Sequence, residues 1–172
     1  MQTVYLSLGS NIGNREEALQ RAIQLLDSDD LRIQRLSPVY ETSPVGLVSQ
    51  PWFLNMVVEA HTTLFPMRLL QRVLHTERKM GRRRSIPQGP RVIDIDILFH
   101  GNFVVETPQL KIPHPRAAGR RFVLEPLAEL SPDLRHPLHH RTVRELLAAT
   151  ASQKVHKVAF QPEMPVRVSV SG

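Results

Sequence analysis

Apolar residues recur along the chain with two different periods, and the switches between them outline most of the elements. From Thr3 to Leu8 the pattern alternates, with Val4, Leu6 and Leu8 on one side, which predicts a strand stopped by Gly9-Ser10-Asn11 and Gly13-Asn14. The period then lengthens. Leu19, Ala22, Ile23 and Leu26 fall on one helical stripe, and Asn14 with Glu17 three positions on reads as a capping box, so a helix is expected from about Arg15 to Asp27. Arg32 to Tyr40 reads as a second strand through Ile33, Leu36 and Val39, with Pro38 confining it to an edge or an end. The loop from Glu41 to Trp52 contains Pro44, Gly46 and Pro51 and is longer than a hairpin requires, as functional loops often are. Phe53 to Thr62 resumes as a strand. Pro66 then opens a helix with Leu69, Leu70, Val73 and Leu74 as its buried stripe, Glu77 on that same stripe, and Gly81 as its terminator. An arginine-rich loop precedes a strongly apolar strand from Arg91 to Phe99 and a hairpin through His100-Gly101-Asn102.

The order strand, helix, strand, strand, helix, strand over this first part fits an α+β chain with a ferredoxin-like βαββαβ core. Such a core is one antiparallel sheet with helices on one face and the other face left for a ligand. Past Pro113 the pattern thins. Arg121 to Leu130 reads as a short helix interrupted by Pro126, Thr142 with Glu145 caps a helix to Ala149, and Lys154 to Phe160 and the run from Val166 to Val170 read as extended. Residues 1–150 are expected to form a single domain, and 151–172 an extension of unassigned role.

At 172 residues, 41% hydrophobic and 22% charged, the composition is that of one globular domain rather than a disordered or fibrous chain. The absence of cysteine excludes a disulfide framework and thiolate metal sites, so a metal would have to be held by carboxylate or imidazole. Met1 to Ser10 holds no basic segment followed by an apolar run, and no stretch reaches the eighteen or so apolar residues of a bilayer span; a cytoplasmic protein without a membrane partner is expected. Lys and Arg total 22 against 16 Asp and Glu, a net charge of +6, which suggests an anionic partner: nucleic acid, nucleotide or phosphorylated metabolite. Clustering of Arg82, Arg83, Arg84 and Arg91 around Pro87, Gly89 and Pro90 favours a compact polyphosphate over an extended polymer.

The chemistry concentrates in one strand. Ile93, Ile95 and Ile97 share a face, so Asp94 and Asp96 lie side by side on the other, about 7 Å apart at a rise of ~3.3 Å per residue. Two carboxylates so placed need full solvent or a cation between them. The plain alternative is a wet strand face that they decorate, although Asp is poorly suited to strands. Oxygen-only coordination fits magnesium, which binds one or two carboxylates and completes its shell with water and substrate phosphates. Arg91 enters the strand just ahead of the pair and should reach the same place, while Arg82 to Arg84 also fit a solvated loop. His114 reads as a surface histidine, and His136, His139 and His140, in Pro-containing chain without a periodic scaffold, likewise as surface residues.

The run Gly89-Pro90-Arg91-Val92-Ile93-Asp94-Ile95-Asp96-Ile97-Leu98 resembles the signature of the 6-hydroxymethyl-7,8-dihydropterin pyrophosphokinase family of folate biosynthesis. Three further segments agree in order and spacing over roughly residues 1–150. They are Leu8-Gly9-Ser10-Asn11; Tyr40-Glu41-Thr42-Ser43-Pro44 leading to Gln50-Pro51-Trp52-Phe53-Leu54-Asn55; and Ile112-Pro113-His114-Pro115 followed by Arg120-Arg121-Phe122. The resemblance implies transfer of the β,γ-pyrophosphoryl unit of ATP to the hydroxymethyl group of a reduced pterin, with release of AMP. It implies that Asp94 and Asp96 bind two magnesium ions and that Arg82 and Arg91 stabilise the transferring group. It also implies that Val45 and Phe122 sandwich the pterin, with Phe53 at the edge, Asn55 on the amide-like edge and Thr42 beside it. On the ATP side it implies Leu70, Glu77, Arg84, Ile97, His114 and Arg120, and it implies that the loops Gly9 to Asn14, Ser43 to Trp52 and Arg82 to Pro90 close over the reactants. Pro87, Gln88, Gln109 and Pro115 depart from the family's usual residues. A monomer acting on small molecules is expected, with nucleic acid not a partner. The competing readings are a ferredoxin-like RNA-binding module, which would carry stacking aromatics on its exposed strand face, and a catalytically silent homologue.

Overall fold

The computed structural model describes residues 1–43, 51–81 and 91–167. Its main sheet is built around β1 (Gln2–Ser10) and β4 (Phe53–Thr62), which pair antiparallel along their whole length. β5 (Asp94–His100) flanks β1, β2 (Leu31–Leu36) and β3 (Tyr40–Thr42) lie one after the other along β4, and β8 (His156–Lys157) adds to β3. All these pairings are antiparallel.

The helices α1 (Arg15–Leu26) and α2 (Pro66–Lys79) cover one face, where Val4, Leu6 and Leu8 of β1 meet Met56, Val58 and Ala60 of β4 and Ile95 and Ile97 of β5. Local chemistry sets their ends. The Asn14 side chain accepts the N–H of Glu17, Pro66 stands at the first turn of α2, and Gly81, with φ of +81°, lets the chain leave α2 in a left-handed conformation. No helix of the described residues is long and apolar enough to cross a membrane.

The opposite face, expected to be left for a ligand, is open over only part of its area. α3 (Arg121–Leu130) and α4 (Val143–Ala148) cover the rest, seating Val123, Leu124 and Leu127 on Tyr5, Val57 and Phe99. A β-bulge makes this second core possible: Ile97 stands opposite Leu6 but Phe99 opposite Tyr5, so Leu98 is an extra residue and β5 changes face. Phe99 thereby joins the α3 side, and His100 turns to the α1–α2 side, its Nε2 2.7 Å from the Leu64 carbonyl.

Several expectations are corrected. The strand expected over 32–40 is two strands, because Ser37-Pro38 interrupts the ladder: the Ser37 N–H bonds the Val57 carbonyl at 3.0 Å and its hydroxyl accepts the Val57 N–H at 2.8 Å. β1 does not stop at Leu8 but runs through Gly9 to Ser10. The turn at Gly101 forms, with φ of +53°, but β6 (Val105–Glu106) then pairs with β7 (Lys111–Ile112) rather than back on β5. α3 continues through Pro126, and the strand expected over 154–160 shortens to β8. His136 is not a surface residue: it is 3% exposed, edge-on to Phe99 with ring centroids 5.6 Å apart, and its Nδ1 accepts the N–H groups of Leu138 and His139 at 3.1 and 3.0 Å. His139 and His140 are exposed, as expected.

Candidate active site

On the uncovered part of that second face, strand register alone brings together the residues of a cleft. Ser7 pairs with Asp96, and Gly9 pairs with Asp94 on one side and Asn55 on the other. Tyr40 stands opposite Asn55, and Thr42 opposite Phe53. One transverse row thus runs Asp94, Gly9, Asn55. Gly9 is required there by close approach, since a Cβ would lie 2.9 Å from Asn55 Oδ1. The side chains of Asn55 and Thr42 are buried, and the Asn55 amide donates to the Thr42 hydroxyl at 2.6 Å. That bond leaves Asn55 Oδ1 as an acceptor fixed in direction.

The cleft is about 280 Å³ and is lined by Ser7, Gly9, Thr42, Ser43, Phe53, Asn55, Arg91, Asp94, Asp96, His114, Arg116, Arg120 and Phe122. Its floor is β1, β4 and β5. Its far wall comes from the segment after β7 and the start of α3: the His114 N–H bonds the Leu98 carbonyl at 3.0 Å, pinning that segment beside the bulge. His114 is therefore half-buried on the cleft rather than an ordinary surface residue.

Charge is segregated across this space. Asp94 and Asp96 project from the floor, and Arg91 Nη1 stands 3.6 Å from Asp94 Oδ2. The Arg91 backbone is clamped by Asn11, whose Oδ1 accepts the Arg91 N–H at 2.7 Å and whose own N–H bonds the Arg91 carbonyl at 3.1 Å. Arg91 lies 6.0 Å from the Phe53 ring centre and Arg120 5.5 Å from that of Phe122, so each aromatic wall carries a guanidinium. Burial, followed by the positive charges of Arg120 and Arg116, holds the His114 pKa below its ordinary value. Burial and then Arg116 also lower that of Arg120, while Asp96 and Asp94 raise it. A cationic wall facing a carboxylate floor suits a polyanion bound together with cations.

Of the residues singled out from sequence, Asp94, Asp96, Arg91, Thr42, Phe53, Asn55, Phe122, His114 and Arg120 line this cleft. Leu70, Glu77 and Ile97 do not. Ile97 faces the α1–α2 core, Leu70 packs against it, and Glu77, 2% exposed, accepts the Ile95 N–H at 2.9 Å from behind the sheet. Val45, Arg82 and Arg84 lie outside the described residues, as do Pro87, Gln88 and most of two of the three loops expected to close. Arg116, Ser7, Gly9 and Ser43 line the cleft too without being among the residues singled out from sequence. Ser7 and Gly9 could have been, since they alternate with the apolar side of β1, whereas nothing in the spacing marks Arg116.

Residues 5–132 match the family model described as 7,8-dihydro-6-hydroxymethylpterin-pyrophosphokinase (HPPK). The 2-amino-4-hydroxy-6-hydroxymethyldihydropteridine pyrophosphokinase of Aquifex aeolicus is 41% identical over 145 residues, 84% of this chain and 90% of that protein. Its namesake in Pseudomonas aeruginosa is 39% identical, covering 92% and 98%. The folic acid synthesis protein fol1 of Schizosaccharomyces pombe is 43% identical over 88% of this chain, which spans only 21% of that protein. The crystal structure of wild-type Plasmodium falciparum HPPK-DHPS shares the fold, with a TM-score of 0.73 at 18% identity, over 88% of this chain and 45% of that one. With a family model matched over most of the chain and the Aquifex aeolicus and Pseudomonas aeruginosa relatives matched nearly end to end, the chain belongs to the HPPK family.

Proposed function

We propose that the protein transfers the β,γ-pyrophosphoryl unit of ATP to the hydroxymethyl oxygen of 6-hydroxymethyl-7,8-dihydropterin and releases AMP, as a step of folate biosynthesis. The observation that carries this reading is the row Asp94, Gly9, Asn55, in which a carboxylate and a buried amide stand on the two strands that flank β1 and line one cleft, as a phosphate side next to a heterocycle side would require. In the reaction the pterin hydroxyl oxygen bonds to the β-phosphorus, the bond from that phosphorus to the α,β-bridging oxygen breaks, and the hydroxyl proton leaves to water. Such a transfer depends on positioning and on neutralising charge over the phosphoryl oxygens.

Asn55 Oδ1 would meet the amide-like edge of the pterin, with backbone contacts from Thr42, Phe53 at the ring's edge and Phe122 against one ring face. Val45, outside the described residues, would complete the sandwich. Arg91, oriented by Asn11, would hold the transferring group with Arg82, and His114 and Arg120 would meet the nucleotide phosphates with Arg84. Asp94 and Asp96 suit magnesium: they are hard oxygen donors on one strand face, and two carboxylates with phosphate and water are a usual magnesium set. Among the described residues there is no group of three or more ligating side chains, so substrate oxygens would supply the remainder for the two ions expected. When bound, the ions would offset the triphosphate charge.

Other parts of the reading concern architecture and partners. The strand order, β5, β1, β4 and then β2 with β3, supports reading the core as ferredoxin-like βαββαβ, in which residues 1–150 would form the catalytic unit with 151–172 appended. Two carboxylates on the floor would repel nucleic-acid phosphate, which disfavours an RNA-binding role. The test is to mix protein, magnesium, ATP and the dihydropterin and identify the nucleotide formed: AMP is expected, and ADP or no turnover refutes the assignment. Asp96→Asn should abolish AMP formation with the melting temperature within a few degrees, and unchanged turnover would overturn the metal role.

A further inference from the structure

Residues 156–167, beyond the span matched to the family, lie as a strap across one side of the molecule. At one end β8 pairs with β3, Tyr40 opposite Lys157 and Glu41 opposite His156, and the Val158 N–H continues to the Val39 carbonyl at 2.9 Å. The strap then crosses α1. Gln20 exchanges two hydrogen bonds with the backbone of Glu163, at 2.8 and 3.0 Å, and Gln24, one turn on, exchanges two with that of Val166, at 2.9 and 3.0 Å. Arg167 closes it with two bonds to the Asp27 carboxylate, at 2.9 and 3.0 Å, and a third to the Ile33 carbonyl.

The β8 end reaches the cleft. Glu41 is paired with His156 on one side and Leu54 on the other, so β8 and β4 grip the same short strand, whose next residue is Thr42. The His156 ring stacks on Trp52, centroids 6.4 Å apart and planes within 17°. Trp52 directly precedes Phe53 of the cleft wall. Arg15 ties the same corner from α1, donating to Glu41 Oε2 at 2.8 Å and to the Trp52 carbonyl at 2.9 Å. Without β8, β3 would be a three-residue edge strand with one neighbour, too short to hold its register firmly.

We propose that His156 is a positioning residue of the pterin-side wall: through its stack on Trp52 and its pairing with Glu41 it holds Thr42 and Phe53 in place, while the rest of the strap anchors it to α1. The proposal rests on the reading of Thr42, Phe53 and Asn55 as the pterin side. It reaches beyond that reading by giving the added segment a role in substrate affinity rather than stability alone.

The test uses the full chain with His156→Ala, His156→Phe and, as an anchor variant distant from the cleft, Arg167→Ala. Trp52 is the sole tryptophan, so acrylamide quenching of its emission reports the stack without reference to activity. His156→Ala is expected to increase the quenching constant about twofold and the KM for the dihydropterin at least threefold, leaving kcat and the KM for ATP within a factor of two. His156→Phe, which keeps a flat ring, should restore both. Arg167→Ala should lower the melting temperature without moving the pterin KM. The proposal is overturned by unchanged quenching in His156→Ala, by an unchanged pterin KM, or by Arg167→Ala matching His156→Ala in KM. If the wild-type protein forms no AMP, the functional reading fails separately, and the dihydropterin Kd by titration calorimetry, weaker in His156→Ala or not, decides the positioning role.

Discussion

Replacing His136 by asparagine should make the protein less sensitive to mild acid. The buried imidazole accepts two backbone N–H groups at Nδ1 and lies edge-on to Phe99, so a proton on that nitrogen would displace both donors and bring charge into an apolar corner. Burial first, then the charges of His139 and His140, push its pKa down from 6.5 to about 4. Between those values the unfolded chain binds a proton that the folded chain refuses, so stability falls as pH falls through this window and is unaffected by the residue above it. At full strength the displacement corresponds to ~3 kcal/mol. Because His139 and His140 are exposed and their repulsion is screened, about 1–2 kcal/mol is the reasonable expectation. Asparagine can accept the same turn N–H groups through its side-chain oxygen but does not titrate in this range. Urea unfolding followed by far-UV circular dichroism from pH 4.5 to 7.5 measures the difference, since other groups titrate alike in both proteins. Wild type should lose about 1–2 kcal/mol relative to the variant across that range, and parallel curves would refute the burial argument.

Gly9→Ala should drive the Asn55 amide out of the Asp94–Gly9–Asn55 row, because its methyl would stand 2.9 Å from Asn55 Oδ1. A pterin KM raised tenfold or more, with circular dichroism unchanged, is expected in steady-state assays; an unaltered KM would show that the row does not set the pterin side. Glu77→Leu should cost about 1–3 kcal/mol in urea unfolding, since the buried Ile95 N–H loses its acceptor, whereas Glu77→Gln should recover most of that. Arg116→Ala, on the cationic wall, should raise the KM for ATP several-fold and steepen no salt dependence, and a KM that stays put would place Arg116 outside the phosphate path.

The two helices and four main strands were legible because each buries one face and so carries a clean period. The pairing of Asp94 with Asp96 was legible for the same reason, as was the capping of α1 by Asn14 and of α4 (Val143–Ala148) by Thr142. What sequence hid were features set by partners distant in the chain. The bulge at Leu98 depends on register with β1, and the second core under α3 depends on Tyr5 and Val57 having an apolar neighbour to meet. His136 looked exposed because its scaffold is two turn N–H groups and a ring from another strand. Gly9 looked like a strand stop, although its missing side chain serves the strand beside it.

The extra residue in β5 also bears on how the protein can tolerate change. Its carboxylates face the cleft and its isoleucines face α1 and α2, while two positions later an aromatic ring faces α3; a uniform ribbon could not present all three in that order. Deleting Leu98 would close the bulge and leave Phe99 opposite Tyr5 and His100 opposite Val4, so both rings would keep their sides while the core under α3 lost a buried leucine. The bulge is thus a place where the chain can shorten by one residue without exchanging the two hydrophobic layers, and Asp94 and Asp96, which precede it, keep their register with Gly9 and Ser7 either way.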